Sequence, residues 1–266
     1  MRPEEDVALS ARQDGWASRG SFRQCWLAYV DILGYAEFVG DACARPGGPE
    51  GVIATLREII AQAVEPAGAR LGPLPDVAMD RAYRDFRPQV RVISDAACLT
   101  VETTDPASVV FFLARTAILQ AYLICTLGLL VRGAAVLGGH YDDGDVVFSP
   151  ALIDAVDSER RQCHRARVVV APEVARRYLA CCDEAGGSGE RAPAWLLSCL
   201  ARDDDGEWFV NYLTASRMDR TLQRLVQRHR DVVDDGLRKH GPDPRKGPKW
   251  AWACEYHTRF CGGRLA

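Results

Sequence analysis

No Cys-x-x-Cys pair, no internal repeat and no strong net charge mark this 266-residue chain, in which 33 Lys and Arg stand against 36 Asp and Glu, −3 overall. A charge that small removes any general demand for nucleic acid or an anionic membrane surface as partner, although Arg-rich stretches can still meet phosphates. The start, Met1-Arg2-Pro3-Glu4-Glu5-Asp6, is acidic rather than basic then apolar. It reads as lacking a secretory signal, and the expected location is the cytoplasm. A clean membrane span is missing too. The most apolar stretch, Ser108 to Val131, carries Arg115 and Gln120 in its middle, which predicts a buried core helix. The ten cysteines are scattered through apolar runs, as at Cys25, Cys98, Cys125 and Cys199, and read as reduced core residues. Cys254-x-x-His257-x-x-x-Cys261 could donate to zinc. It lacks a clear fourth ligand, and on a helix the three share one face, so packing is the favoured reading.

Two aspartates interrupt otherwise apolar, strand-like runs. Leu27-Ala28-Tyr29-Val30-Asp31-Ile32-Leu33-Gly34-Tyr35 holds one, and Arg91-Val92-Ile93-Ser94-Asp95 the other. A carboxylate at the end of a buried strand is costly unless it is paired or sits on a cation, so the two suggest a shared metal site. The structural alternative is that each caps a turn or the following helix.

With 48% hydrophobic and 26% charged residues the composition is that of a globular protein, large enough for one sizeable core. Residues 1–22 read as a loose lead-in, 23–215 as the main domain, and 216–266 as a helical extension docked on it. Cys25 to Leu33 reads as a buried strand and Val52 to Val64 as a helix, while Pro66 to Pro88 is irregular. Val90–Ile93 and Ala97–Val101 form a strand pair with Asp95 at its turn. A long apolar helix from Ala107 stops at Gly128. Strands at Val131–Gly138 and Asp145–Phe148 follow, joined by a His140–Gly144 turn that faces solvent. Next come a helix from Ala151 to Gln162, a strand at Arg167–Ala171 and a helix at Pro172–Cys182. A hairpin is expected around Asp203-Asp204-Asp205-Gly206. Thr221 to Lys239 is an amphipathic helix, and a tail with Trp250, Trp252 and Tyr256 docks on the body. The order is that of an α+β fold with helices packed on a sheet.

This order and these residues resemble the catalytic domain of class III nucleotide cyclases. Asp31-Ile32-Leu33-Gly34-Tyr35 is similar to the motif that ends the family's first strand. Arg91-Val92-Ile93-Ser94-Asp95 fits the frame of its Lys-x-x-Gly-Asp turn. Val131-Arg132-Gly133, Gly138-Gly139-His140 and Gly144 to Phe148 look like its arginine-glycine strand, turn and helix. Arg91 stands where the family has a base-selecting lysine, and the family's Asn-x-x-x-Arg has no clean counterpart near Ile153 to Asp157. In both respects the chain looks more like the divergent bacterial Pycsar-type pyrimidine cyclases. The C-terminal hairpin and helix resemble an extension found in proteins of that type.

The resemblance implies a class III cyclase-like sheet and conversion of a pyrimidine nucleoside triphosphate, UTP ahead of CTP, to a 3′,5′-cyclic monophosphate. It implies two ions of Mn²⁺ or Mg²⁺ held by Asp31, the Ile32 carbonyl and Asp95. The amides of Leu33, Gly34 and Tyr35 would take phosphates. Arg91 would read a uracil edge or, alternatively, pair with a nearby carboxylate. Arg132 is a phosphate contact or a buried ion pair. Arg160, Arg161 and Arg165 are phosphate or interface candidates, or a solvated face. A homodimer with shared sites, a role in anti-phage defence and a separate effector sensing the cyclic nucleotide are also implied. The rivals are an adenylate or guanylate cyclase and a catalytically silent nucleotide-binding module.

Overall fold

The computed structural model describes residues 21–64, 77–103, 105–161, 165–187, 198–218 and 224–263. The chain folds around β1 (Arg23–Ile32), which lies antiparallel to β3 (Ala96–Glu102) on one side and to β4 (Val131–Asp142) on the other. Every residue of β1 from Cys25 to Ala28 is buried. Near-continuous hydrophobicity is what a strand covered on both faces requires. Val30 and Ile32 join the larger core, whereas Leu27 and Tyr29 pack on the opposite face. Strand alternation therefore puts Asp31 with Leu27 and Tyr29.

Beyond β3 lies β2 (Gln89–Ile93), and beyond β4 come β6 (Val168–Val170), β8 (Trp208–Val210) and β7 (Leu200–Arg202). The sheet order is β2-β3-β1-β4-β6-β8-β7, with the short β5 (Val147–Phe148) pairing β4 off this path. Strand, helices, hairpin, helix and strand, ordered 4-1-3-2, make a β-α-β-β-α-β core. A parallel crossover then leads from β4 to β6. The architecture is α+β, as the sequence predicts.

Between β1 and β2 run α1 (Tyr35–Cys43), α2 (Gly48–Val64) and α3 (Val77–Asp85). The expected helix at Val52–Val64 thus starts earlier and is preceded by another, and part of the stretch expected to be irregular is helical. Residues 65–76 and 1–20, which carry the rest of that stretch and most of the lead-in, lie outside the described residues. One face of the sheet is covered by α4 (Ser108–Tyr122), in which every residue from Ser108 to Ala121 is buried. A helix apolar all round belongs in a core. Its one charge, Arg115, donates to the Gln62 carbonyl at 3.3 Å. Leu123–Leu127 widens into a π-turn before Gly128 (φ 71°) ends it. The opposite face carries α5 (Pro150–Arg161), whose Ala151 and Ala155 meet Leu27, Ala134 and Val136.

Strand β4 runs to Asp142, further than its apolar residues predict. It takes His140 out of the expected solvent-facing turn into a buried position, where burial lowers the imidazole's pKa.

After α6 (Pro172–Gly187), the β7–β8 hairpin and the short α7 (Ala215–Met218), the chain ends in α8 (Leu225–His240) and α9 (Gly247–Cys261). The aromatic tail is thus a helix, and Trp252 and Tyr256 lie in the core. The helices close on each other because Gly236 has no side chain: a Cβ there would fall 2.3 Å from Trp250 Cε3. Among the described residues none of the nine cysteines forms a disulfide.

Candidate functional site

The ends of β1 and of the β2–β3 hairpin meet. Ser94 and Asp95 make the turn of that hairpin, with Ser94 in the left-handed region at φ 57°. The Asp95 carbonyl accepts a hydrogen bond from the Ile32 amide at 2.7 Å. That bond ties an exposed carboxylate to the residue following Asp31, although 64 positions separate the two aspartates in the sequence.

Asp31 stands opposite Ala96 on β3 and Arg132 on β4, and its side chain is 14% exposed. Arg132 Nε donates to Asp31 Oδ2 at 2.8 Å. The same nitrogen lies 2.5 Å from Oε1 of Glu159, a buried residue near the end of α5. This second contact is one of charge rather than a well-aligned hydrogen bond, since Glu159 Oε1 is buried with no hydrogen-bond partner. Burial raises the Glu159 pKa against the pull of Arg132. Tyr29, also on this face, has its phenol pKa raised by burial and then by the fields of Asp31, Glu159 and Asp95. Asp31 and Glu159 therefore share one arginine, and the Asp95 charge is near enough to act on Tyr29. A surplus of hard oxygens, with one buried and unbonded, fits a divalent cation such as Mg²⁺ or Mn²⁺.

Just past β1, Leu33 donates to the Leu130 carbonyl at 2.9 Å, and Gly34 turns the chain at φ 80°. Helix α1 then starts at Tyr35 with no side-chain cap. The first amides of a helix have no partner within it and point outward at its positive end. Gly34 and Tyr35 thus sit close to Asp31 in a setting that favours an anion, whereas the Leu33 amide is already bonded. A cavity of about 440 Å³ opens against Leu33 and Gly34, with the α8–α9 turn as its other wall.

The remaining predicted arginines lie elsewhere. Arg91 grips both oxygens of Asp142, with Nη2 2.5 Å from Oδ1, and Nη1 is 3.4 Å from the Gly144 carbonyl. The structure thus supplies the carboxylate partner that the sequence left as an alternative. Arg160 is exposed, 3.9 Å from Asp157, and exposed Arg161 donates to Ser158 at 3.0 Å. Arg165 is drawn into a different cluster.

That cluster is the acidic turn at Asp203, Asp204 and Asp205, the one carboxylate trio among the described residues whose oxygens all lie within 4.8 Å of one another. It is already neutralised. Asp203 accepts from Arg165 at 2.7 Å, from Arg259 at 2.8 Å, from Trp252 Nε1 at 2.8 Å and from Arg167, while Arg165 also reaches Asp204 and Arg167 bonds Asp205. Burial alone would raise the Asp203 pKa, yet these donors hold it well below the carboxylate range. Three arginines balance three carboxylates, so the group pins α9 to the hairpin rather than inviting a cation. Signals for it were weak in the sequence, because its partners lie 36 to 56 residues apart.

Cys254, His257 and Cys261 do not converge on a zinc site. His257 Nδ1 lies 3.1 Å from His229 Nδ1 and its Nε2 3.5 Å from Cys261 Sγ, while His229 Nε2 meets the Tyr212 hydroxyl at 2.6 Å. The ring nitrogens are spent in single file between α8 and α9, and the packing reading holds.

Glu159 is the residue that sequence reasoning missed. In Ser158-Glu159-Arg160-Arg161 it looks like one more charge on a solvated helix end. Its spacing from buried Ala151 and Ala155, two and one helical turns earlier on the same face, was the available signal.

No protein-family model matches the chain, and no curated protein matches it. Among solved structures it is similar to the adenylyl cyclase CyaB from Pseudomonas aeruginosa, with a TM-score of 0.40 and 9% identity over 60% of this chain and 83% of that one. It is also similar to a class III adenylyl cyclase-like ATP-binding protein from Pseudomonas aeruginosa, with a TM-score of 0.36 and 16% identity over 59% of this chain. The chain spans 35% of that second protein's length. Neither likeness bears on what individual side chains here do.

Proposed function

We propose that this chain is a metal-dependent nucleotide cyclase, acting on a pyrimidine nucleoside triphosphate with UTP preferred over CTP. The observation that supports the reading is the backbone bond that brings the Asp95 turn against the end of β1, next to Asp31 and the uncapped start of α1. The ribose 3′-oxygen attacks the α-phosphorus of the same nucleotide, the bond from that phosphorus to the β-phosphate bridging oxygen breaks, and pyrophosphate leaves. The hydroxyl proton passes to solvent. Asp31, Asp95 and the Ile32 carbonyl would hold Mn²⁺ or Mg²⁺, two ions per site. A bound divalent cation lowers the pKa of the hydroxyl and neutralises the triphosphate.

The protein's own groups do the positioning. Arg132 fixes the Asp31 carboxylate, and Glu159 fixes Arg132 in turn. Of the expected phosphate amides, those of Gly34 and Tyr35 receive phosphate oxygens, while that of Leu33 is held by the Leu130 carbonyl. Arg91, 40% exposed, would have to release Asp142 to turn its planar, permanently charged fork toward a carbonyl of the base.

Two copies pair head to tail and share their sites. The exposed side chains of Val146, Val147, Phe148 and Ile153 at the start of α5 support such a contact. The product serves as a second messenger in anti-phage defence in the cytoplasm, read by a separate effector protein.

A second reading, a silent nucleotide-binding module, is favoured by the Arg132–Asp31 bond, which takes up charge that a cation would use. An adenylate or guanylate cyclase is the third. Incubation with each of the four ribonucleoside triphosphates and Mn²⁺, followed by mass spectrometry, separates them. Cyclic UMP is expected; a purine product moves the base assignment, and tight binding with no cyclic product leaves the silent module.

A further inference from the structure

The wall of the cavity facing α1 is unusually cationic for where it lies. Lys246 is the N-cap residue of α9 and Lys249 falls in its first turn, which holds no acidic residue. Cations at a helix N-terminus oppose the macrodipole, so local helix stability does not explain them. Arg245 precedes them, and Lys239 joins from the end of α8.

These side chains face the start of α1. Lys246 Nζ donates to Glu37 Oε2 at 2.9 Å, and Lys239 Nζ lies 3.8 Å from Glu37 Oε1. Glu37 belongs to the first turn of α1 and is half exposed. A carboxylate thus holds two ammonium groups over the helix end that favours anions. Of the other acids in the cavity wall, Asp243 is occupied by the amides of Arg245 and Lys246 at 2.7 and 2.9 Å. The Lys249 ammonium acts on Glu159 as well, lowering its pKa against the effect of burial. The lysine turn lines the same cavity as Leu33 and Gly34, which follow Asp31 and Ile32 at the end of β1. Close packing of Gly236 on Trp250 fixes the turn there.

We propose that the α8–α9 turn belongs to the substrate site: Lys246 and Lys249, aided by Arg245, hold the terminal phosphates of the nucleoside triphosphate against the start of α1, with Glu37 as the carboxylate those phosphates displace. This rests on the cyclase reading and makes the C-terminal extension part of the site.

The test uses the full chain, with inorganic tripolyphosphate as probe in calorimetry and the nucleotide assay run beside it. In the Lys246→Ala, Lys249→Ala double variant, tripolyphosphate binding weakens by about ten- to a hundredfold, and KM rises more than kcat falls. Glu37→Gln acts in the opposite direction and tightens tripolyphosphate binding, a gain that misfolding cannot imitate. Arg238→Ala, an exposed change on α8 at a side chain paired with Asp235, alters neither. A wild-type enzyme that makes cyclic product while both lysine and Glu37 variants bind tripolyphosphate unchanged overturns the inference and leaves the cyclase reading intact. Lysine-dependent tripolyphosphate binding with no cyclic product from any nucleotide supports the anion site and overturns the cyclase reading.

Discussion

Replacing Asp203 by Asn tests whether the acidic hairpin turn is a structural lock or a metal site. The Asp203 side chain is 1% exposed and Arg167 beside it fully buried. Asparagine keeps an oxygen for Trp252 Nε1 but removes the charge facing Arg165, Arg167 and Arg259. Breaking a buried ion pair from one side costs about 3–5 kcal/mol, and the acceptor retained here favours the lower end. With m near 2–3 kcal/mol/M for urea, the midpoint should fall by on the order of 1 M. Asp204→Asn, at a side chain 66% exposed, should change stability by no more than about 0.5 kcal/mol. The assay is equilibrium urea unfolding followed by circular dichroism, repeated with and without Mn²⁺. Any Mn²⁺-induced stabilisation should survive Asp203→Asn and disappear in Asp31→Asn. If Asp203→Asn leaves the midpoint unmoved, or abolishes the Mn²⁺ effect that Asp31→Asn spares, the assignment of these two carboxylate groups is reversed.

Arg132→Met removes the cation that draws the Glu159 pKa down, so the Glu159 titration should move to higher pH, visible by ¹³C NMR of labelled glutamate. His229, buried beside His257, has its pKa pushed down to about 3 by burial and then by its neighbour, whose own pKa burial also lowers. The unfolded chain, titrating near 6.5, takes up these protons first. For His229, stability is therefore full above about pH 6.5 and declines toward about pH 3, by up to about 1.4 kcal/mol per pH unit; the lowered pKa of His257 adds to the loss in the same direction. His229→Gln should flatten that slope in urea titrations between about pH 6 and pH 5. Gly236→Val drives a side chain into the Trp250 ring and should cost about 1–3 kcal/mol, with faster amide hydrogen exchange along α9 as the readout.

Local signals in the sequence located much of this. The unbroken apolar run of β1, the Gly128 stop and the turn at Asp203–Gly206 each rest on a few neighbouring residues, and each is present in the structure. Helix α1 was missed because its first turn follows directly on a glycine turn and only Ala42 is buried, so periodicity is faint. The π-turn at Leu123–Leu127 looks no different in sequence from the α-helix it continues. His140 was placed in a turn because Gly138 and Gly139 read as the end of β4. Those glycines instead allow close approach, Gly138 to Ala151 and Gly139 to the Phe22 ring. At the site, Asp31 and Asp95 stood out as charges in apolar runs. Glu159, Lys246 and Lys249 did not, since each lies among other charges and takes its meaning from partners far away in the chain.

The most direct test is a crystal of the full chain grown with Mn²⁺ and a nucleoside triphosphate analogue whose α–β bridging oxygen is replaced by methylene, read by anomalous scattering at the manganese edge. The account predicts manganese peaks ligated by Asp31, the Ile32 carbonyl and Asp95, with the terminal phosphates against the amides that open α1. Manganese at Asp203–Asp205, or a nucleotide bound away from Asp31 and Asp95, would contradict it.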